Sequence, residues 1–253
     1  MSISLPSLRK YNLWMSLLHF VQGLAVVLLS RDFKLPLTTG YLTFNAETQT
    51  LEPAAHTLAN VPLAWLVAGF FFICAVAHLV IATVYREKYE ADLKIGINKA
   101  RWWEYALSAS TMMVAIAMLV GIYDLGALIM LFTLTAGMNL MGLVMEVHNQ
   151  TTKKTSWVSF NVGCLLGIIP WVAIAIFFWA ANAYGAGDIP TFVYYIYGSI
   201  FIFFNIFALN MWLQYKKVGR WAEYLYGERA YIILSLLAKS LLAWQVFAGT
   251  LRP

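Results

Sequence analysis

Seven apolar segments, each long enough to cross a lipid bilayer, follow one another along this chain of 253 residues. The hydrocarbon core of a bilayer is about 30 Å thick, and a helix needs roughly 20 apolar residues to cross it. The segments lie at 11–30, 61–85, 101–123, 125–147, 156–181, 190–214 and 229–250. The sequence therefore predicts an all-α protein, a seven-transmembrane helix bundle, in which residues 1–253 form a single domain.

The composition agrees with this prediction, because 61% of the residues are hydrophobic and only 11% are charged. A typical soluble domain has about 25% charged residues. The net charge of +5 does not indicate a nucleic-acid partner, since the basic residues lie beside the apolar segments and form no long tract. The two cysteines, Cys74 and Cys164, both lie inside apolar segments, which is typical of buried thiols. We therefore expect neither a disulfide nor a metal site.

Positively charged residues are distributed unevenly between the two ends of the predicted spans. Of the 17 lysines and arginines, thirteen lie on the side of the amino terminus, three lie on the opposite side, and Lys239 lies within a span. Lysine and arginine accumulate in cytoplasmic loops. We therefore expect a multi-pass protein of the cell membrane with a cytoplasmic N-terminus and an extracellular C-terminus. The longest connection, 31–60, contains the alternating segment 40–44, which predicts a short β-hairpin in the first extracellular loop.

Lys239 lies near the middle of the last apolar segment, where a charged lysine costs about 2.5–3.5 kcal/mol on insertion scales. Such a lysine persists if it pairs with an acid, if it faces water, or if its amine condenses with an aldehyde to form a Schiff base. Glu104 lies about one turn into the third segment, in the same cytoplasmic half. Taken alone, Glu104 fits an interfacial partner of Arg101 equally well. Together with Lys239, it predicts a buried ion pair.

Other polar residues are predicted to lie near this pair. Ser235 lies four residues before Lys239 and Ser108 lies four residues after Glu104, so each serine shares a helix face with its charged neighbour. A second group, in the cytoplasmic halves of the first, second and fourth spans, consists of His19, Gln22, His78 and Glu146.

Two histidines at one depth, beside a carboxylate and a lysine, favour a hydrated cavity that holds protons. The alternatives are that each histidine is a hydrogen-bonded packing residue, and that Glu146 is an interfacial acid facing solvent. The outer halves of the predicted spans contain no acidic residue. A pump that carries protons across the whole bilayer needs relay groups in both halves, so this one-sided pattern argues against pumping.

A lysine in the last of seven spans and a carboxylate in the third resemble the pattern of the rhodopsins. More narrowly, the chain resembles the heliorhodopsins, whose amino terminus is also cytoplasmic. The matching stretches are Arg-Trp-Trp-Glu-Tyr at 101–105, Gly-Glu-Arg-Ala-Tyr at 227–231 and Ser-Leu-Leu-Ala-Lys-Ser-Leu-Leu-Ala-Trp at 235–244.

This resemblance implies that Lys239 carries all-trans retinal as a protonated Schiff base, with Glu104 as its counterion. Ser235 occupies the position where pumping rhodopsins place a second acid, and Ala115 occupies the position where pumps often carry a proton donor. The residues that resemble retinal contacts are Met138, Phe204 and Trp244. Those that resemble the cytoplasmic-side cavity of the family are His19 and His78, with Gln22, Tyr105 and Glu146 nearby.

The resemblance further implies a light-sensing photoreceptor with a slow photocycle that retains its proton on the cytoplasmic side and pumps no ion. We expect a homodimer, a cytoplasmic signalling partner and no enzymatic activity. Two other classes stay open. One is a proton or ion transporter or channel, light-driven or without a chromophore, in which Lys239 and Glu104 form an ion pair. The other is a membrane enzyme with an intramembrane base, but metal-ligand spacing, a nucleophile elbow and a phosphate loop are all missing from the sequence.

Overall fold

The computed structural model describes residues 4–187 and 189–253, which are mainly helical. Seven helices of 20 residues or more occur in these described ranges: α1 Leu5–Leu29, α2 Leu63–Ala82, α4 Lys99–Leu119, α5 Leu125–His148, α6 Val158–Tyr184, α7 Thr191–Tyr215 and α8 Tyr224–Val246. A short helix, α3, covers Arg86–Lys94. A π-helical turn, Phe247–Leu251, continues α8 to the end of the last apolar segment.

Six of these long helices are long and apolar enough to cross a membrane, and the protein is therefore a multi-pass membrane protein. The helix outside this set is α4, whose first half carries Glu104 and several aromatic and serine side chains. Most of α4 is buried, and it packs between α2 and α5. Its polar side chains therefore face protein, which agrees with the rarity of ionisable groups on lipid-facing surfaces. That α4 is the seventh span remains a prediction.

Local capping fixes where several helices begin. The side-chain oxygen of Asn98 accepts a hydrogen bond from the amide of Arg101 at 3.0 Å, at the start of α4. Asp124 does the same for α5, where Oδ1 accepts from the amide of Ala127 at 2.9 Å. Such caps satisfy amides that have no partner in the first turn of a helix. Both residues therefore fix the starts of helices that carry functional side chains further along.

The predicted hairpin is confirmed, and it is longer than the alternating segment 40–44. Strands β1, Lys34–Asn45, and β2, Thr50–Pro62, pair antiparallel between α1 and α2, with a register irregularity at Leu37/Thr38. The amide of Thr38 donates to the carbonyl of Tyr123 at 2.9 Å, and the amide of Gly40 donates to Asp124 Oδ2 at 3.0 Å. The hairpin is thus attached at its base to the start of α5. We call this the hairpin end of the bundle and the opposite end the amino-terminal end.

The two ends of the bundle differ in polarity. The largest apolar core lies towards the hairpin end and includes Val26, Phe70, Met113, Ile174 and Leu242. Most buried charged side chains lie towards the amino-terminal end, and they are Arg101, Glu104, Glu146 and Glu228, with Lys239 near the boundary. The polar chemistry of the protein is therefore concentrated in one half of the bundle.

Candidate functional site

Lys239 and Glu104 meet in the interior, as the sequence predicts. Nζ of Lys239 lies 3.2 Å from Oε1 of Glu104, and the two side chains are 3% and 6% exposed. Nζ also donates to Oγ of Ser235 at 2.6 Å, one helical turn earlier on α8. A charge buried this deeply needs both an opposite charge and further hydrogen bonds. The lysine nitrogen receives both.

Oε1 of Glu104 is also held by two neutral donors. Ser108, one turn later on α4, donates at 2.6 Å, and the thiol of Cys74 on α2 donates at 2.7 Å. The serine was predicted from its spacing, but the cysteine was not. The sequence offers no signal for Cys74, because its partner lies 30 residues away on another helix. Three donors from three helices therefore converge on one carboxylate oxygen.

An apolar cavity lies against the Lys239 nitrogen. Its lining includes Met138 and Phe204, which the sequence predicted as contacts, and Met112 and Phe207, which it did not. A second, larger cavity shares five lining residues with the first, so the two adjoin. It continues between α5, α6 and α7 and is lined there by Gly163, Gly167, Trp171 and Phe201. Together they form a slot that begins at the lysine.

Tyr105 lines this slot next to the lysine. Nζ of Lys239 lies 5.1 Å from the centre of the Tyr105 ring, within the range of a cation–π contact. The hydroxyl of Tyr105 donates to the carbonyl of Tyr231 at 2.9 Å, which fixes the ring between α4 and α8. The predicted neighbour Trp244 lies elsewhere. Its indole donates to Gln22 at 3.0 Å, its side chain is 38% exposed, and it lines neither cavity.

A small cavity with several polar and charged lining residues, called the polar cavity below, lies on the other side of Glu104, towards the amino-terminal end. His78 lines it, and Nδ1 of His78 lies 2.8 Å from Oδ1 of Asn12. The ring of His19 stacks on His78 with 5.6 Å between the ring centres. Within the described residues, both ring nitrogens of His19 and Nε2 of His78 have no hydrogen-bond partner. Unpaired buried nitrogens of this kind are typical sites for internal water.

This placement agrees with part of the predicted cytoplasmic-side group. Both histidines lie beside the polar cavity, but Gln22 bonds Trp244 outside it. Asn12 was missed, although it shares a face of α1 with His19, seven residues further along. Tyr89 of α3 also lines the cavity, and its burial raises the pKa of its phenol above the usual value. The phenol therefore stays neutral and acts as a hydrogen-bonding group.

Glu146 belongs to a buried ion cluster at the edge of the polar cavity, which two other members of the cluster, Arg101 and Glu228, line. Oε1 of Glu146 lies 2.5 Å from Nη2 of Arg101, and Oε2 accepts from the indole of Trp102 at 2.7 Å. Nη1 of Arg101 pairs with Glu228 on α8. Arg101 thus binds these two acids rather than Glu104, and Glu146 faces neither the histidines nor solvent. Glu228 was missed, although an acid at the start of the last span is the same signal that identified Glu104.

The heliorhodopsin family model matches residues 8–251, nearly the whole chain. The chain belongs to the heliorhodopsin family. No curated protein matches the sequence. Membership of the family implies a retinal chromophore and a protein embedded in the membrane.

The residues present fit such a chromophore. The family implies retinal, and the slot has a mainly apolar lining and ends at a buried amine with an acid partner. Gly167 lets Met138 pack closely against α6 at the edge of the slot, because a Cβ at this position would overlap the side chain of Met138. An amine, a carboxylate and an extended apolar space are the groups that a long conjugated aldehyde requires.

Proposed function

We propose that this heliorhodopsin is a light-sensing photoreceptor in which Lys239 carries all-trans retinal as a protonated Schiff base and Glu104 is the counterion. The observation that supports this most directly is the buried contact of 3.2 Å between Nζ of Lys239 and Oε1 of Glu104, at the end of the apolar slot. When bound, retinal supplies the absorption of visible light and an isomerisation that displaces its neighbours. The site residues would then respond to that displacement.

Five residues would hold the chromophore in the slot: Tyr105, Met112, Met138, Phe204 and Phe207. Ser235 and Glu104 would hold the nitrogen, with Ser108 orienting the carboxylate. Such a tight apolar wall excludes water, which strengthens the electrostatic contact between nitrogen and carboxylate. Trp244 is left out of this proposal, because its side chain points to Gln22.

The polarity of the bundle supports proton retention and a slow photocycle without ion pumping. Glu104 borders the polar cavity with His78 and Asn12, whereas the core beyond Lys239 towards the hairpin end is apolar. A proton released near Glu104 therefore has acceptors on one side only, and it would be held and returned. The thirteen basic residues on the amino-terminal side support a cytoplasmic N-terminus, and in that orientation this cavity would face the cytoplasm.

The proposal includes a homodimer and a signalling partner at the cytoplasmic face, with no enzymatic activity. Both associations rest on the family resemblance. A conformational signal would arise if protonation of the cavity groups shifts the helices that carry them. A change in charge at one site can shift the equilibrium between two conformations of a protein. Size-exclusion chromatography with light scattering would test the dimer, and a pull-down in light and in darkness would test the partner.

Reconstitution with all-trans retinal tests the central claim. The purified protein should acquire a visible absorption band that hydroxylamine bleaches, and borohydride trapping followed by mass spectrometry should place the adduct on Lys239. Lys239→Ala should abolish the band. Lys99→Ala is the matched control, because Lys99 lies at the exposed start of α4 and should leave the band unchanged.

A colourless wild-type product would contradict the photoreceptor and favour a chromophore-free transporter built on the Lys239–Glu104 pair. The absence of pumping is tested separately. Illuminated vesicles that contain the pigment should show no steady change in external pH, whereas a sustained light-dependent change would indicate a light-driven pump.

A further inference from the structure

Cys74 is the residue through which α2 contacts the Glu104 carboxylate. Its side chain is completely buried, and Sγ lies 2.7 Å from Oε1 of Glu104. The other neutral donor, Ser108, lies on α4 itself, one turn from Glu104. A donor on the same helix moves with its acceptor, but a donor on α2 fixes the acceptor relative to another helix. The two hydrogen bonds therefore have different mechanical consequences.

A thiol is a weak donor to a neutral acceptor. The bond becomes stronger when the acceptor is a carboxylate and water is excluded, because an ionised acceptor roughly doubles the strength of a hydrogen bond. All described hydrogen bonds to the Glu104 side chain end on Oε1, and none in residues 4–187 and 189–253 ends on Oε2. The thiol therefore competes with Lys239 for the charge on the same oxygen.

We propose that Cys74 is a positioning residue for the counterion: its thiol holds Oε1 of Glu104 towards Nζ of Lys239 and limits the negative charge that this oxygen presents. The inference rests on the proposed function, because Glu104 acts as a counterion only if Lys239 carries the chromophore. It assigns the orientation of the Glu104 carboxylate to a side chain on α2.

The position of Cys74 on α2 gives the contact a second consequence. His78 lies four residues later, so the two side chains share one face of α2. The thiol contacts the carboxylate, and the imidazole lines the polar cavity beside it. When the charge of Glu104 changes, the bond to the thiol weakens, and this change acts on the face of α2 that carries the imidazole. The carboxylate and the cavity are thereby coupled through one helix.

Infrared spectroscopy of the retinal-free protein tests the hydrogen bond itself. The chain has two cysteines; Cys74 is buried as predicted, but the prediction was wrong for Cys164, which is exposed on α6. Cys164→Ser therefore leaves Cys74 as the single thiol. Its S–H stretching band should lie at the low frequency of a strongly hydrogen-bonded thiol, and Glu104→Gln should shift it upwards. A band at the frequency of a free thiol, or one that does not respond to Glu104→Gln, would overturn the inference.

The absorption maximum of the pigment tests the effect on the counterion. Cys74→Ala removes a donor, so Oε1 gains negative charge, localises the cation at Nζ and should shift the absorption to shorter wavelength. Cys74→Ser restores a hydroxyl donor of similar size and should return the maximum close to that of the native protein. A Cys74→Ala pigment with the native maximum would refute the positioning role while the photoreceptor stands. Failure of the wild type to form any pigment would instead refute the proposed function.

Discussion

Arg101 and Glu146 form an ion pair of 2.5 Å that ties α4 to α5 where both side chains are almost completely buried. The same guanidinium binds Glu228 at the start of α8 and lies over the rings of Trp102 and Tyr231, 4.4 and 4.1 Å from their centres. Three helices therefore meet at one cation. A buried group of this kind is costly to break, because the partners that remain keep their charge in a medium of low polarity.

We expect Arg101→Ala to destabilise the protein by about 3–5 kcal/mol, the cost of leaving buried charges unpaired. Thermal unfolding in detergent measures this. The control is Arg86→Ala, which breaks the partly exposed pair with Glu90 and should cost about 0–1 kcal/mol. If both variants unfold at nearly the same temperature as the native protein, the cluster does not stabilise the bundle.

Gly142 on α5 should be intolerant of any side chain. A Cβ at this position would overlap the indole of Trp102, which the ion cluster holds in place. We expect Gly142→Ala to cost about 1–3 kcal/mol through overpacking. Gly198→Ala on α7 is the matched control, since no atom of residues 4–187 or 189–253 lies within 4 Å of a Cβ built there, and it should be neutral or stabilise by about 0.5–1 kcal/mol. Equal effects of the two substitutions would contradict this packing.

Ser235 should protect the lysine linkage. Its hydroxyl lies 2.6 Å from Nζ of Lys239, and a hydrogen bond to a charged group contributes about 1.5–3 kcal/mol. We expect Ser235→Ala to form the pigment but to bleach about tenfold faster with hydroxylamine in darkness, a factor that corresponds to about 1.4 kcal/mol. Ser199→Ala on α7 should bleach at the native rate, because Ser199 bonds its own helix and Gln245.

Asp124 should make the attachment of the hairpin sensitive to acid. The amides of Ala127 and Gly40 donate to its carboxylate and hold the pKa of that carboxyl below its usual value. A group whose pKa is lower in the folded state stabilises at neutral pH, and this contribution is lost as the pH falls through the lowered pKa. We therefore expect the amide of Gly40 to lose protection from hydrogen exchange in acid.

Asp124→Asn provides the control for this effect. Asparagine still caps a helix, so α5 should remain intact while the pH dependence of Gly40 protection disappears. Asp32→Asn changes an exposed acid paired with Lys34 and should leave the dependence unchanged. Protection of Gly40 that follows the same pH curve in all three proteins would show that Asp124 does not control the attachment.

The sequence identified the Lys239–Glu104 pair because depth in a membrane is a strong constraint. Two charges in apolar segments that enter from the same side must be compensated, and few partners exist at that depth. The helical period likewise identified Ser235 and Ser108, one turn from each charge. The span carrying Glu104 was also expected from the sequence, yet α4 falls outside the six helices that are apolar enough to cross. The polar first half of α4 is buried against other helices, so the low average apolarity of α4 does not argue against a membrane span.

Membrane depth and the helical period do not predict contacts between residues that are far apart in the sequence. Cys74 and Glu104 are 30 residues apart and Arg101 and Glu228 are 127 apart, so their meeting depends on how the helices rotate and pack. Trp244 illustrates the same limit on one helix. Five residues at 3.6 per turn place it about 140° around α8 from Lys239. This rotation turns its indole towards α1 and Gln22.

The hairpin meets the bundle at its base, through Thr38 and Gly40, while its outer face carries Leu42, Phe44 and Leu51 in the open. The turn at 46–49 is the part of the ribbon furthest from its base along the two paired strands. A peptide epitope or a fluorophore inserted there would therefore label the surface without disturbing the site around Lys239. The ribbon would then serve as a natural handle for following the orientation of single molecules in a supported membrane.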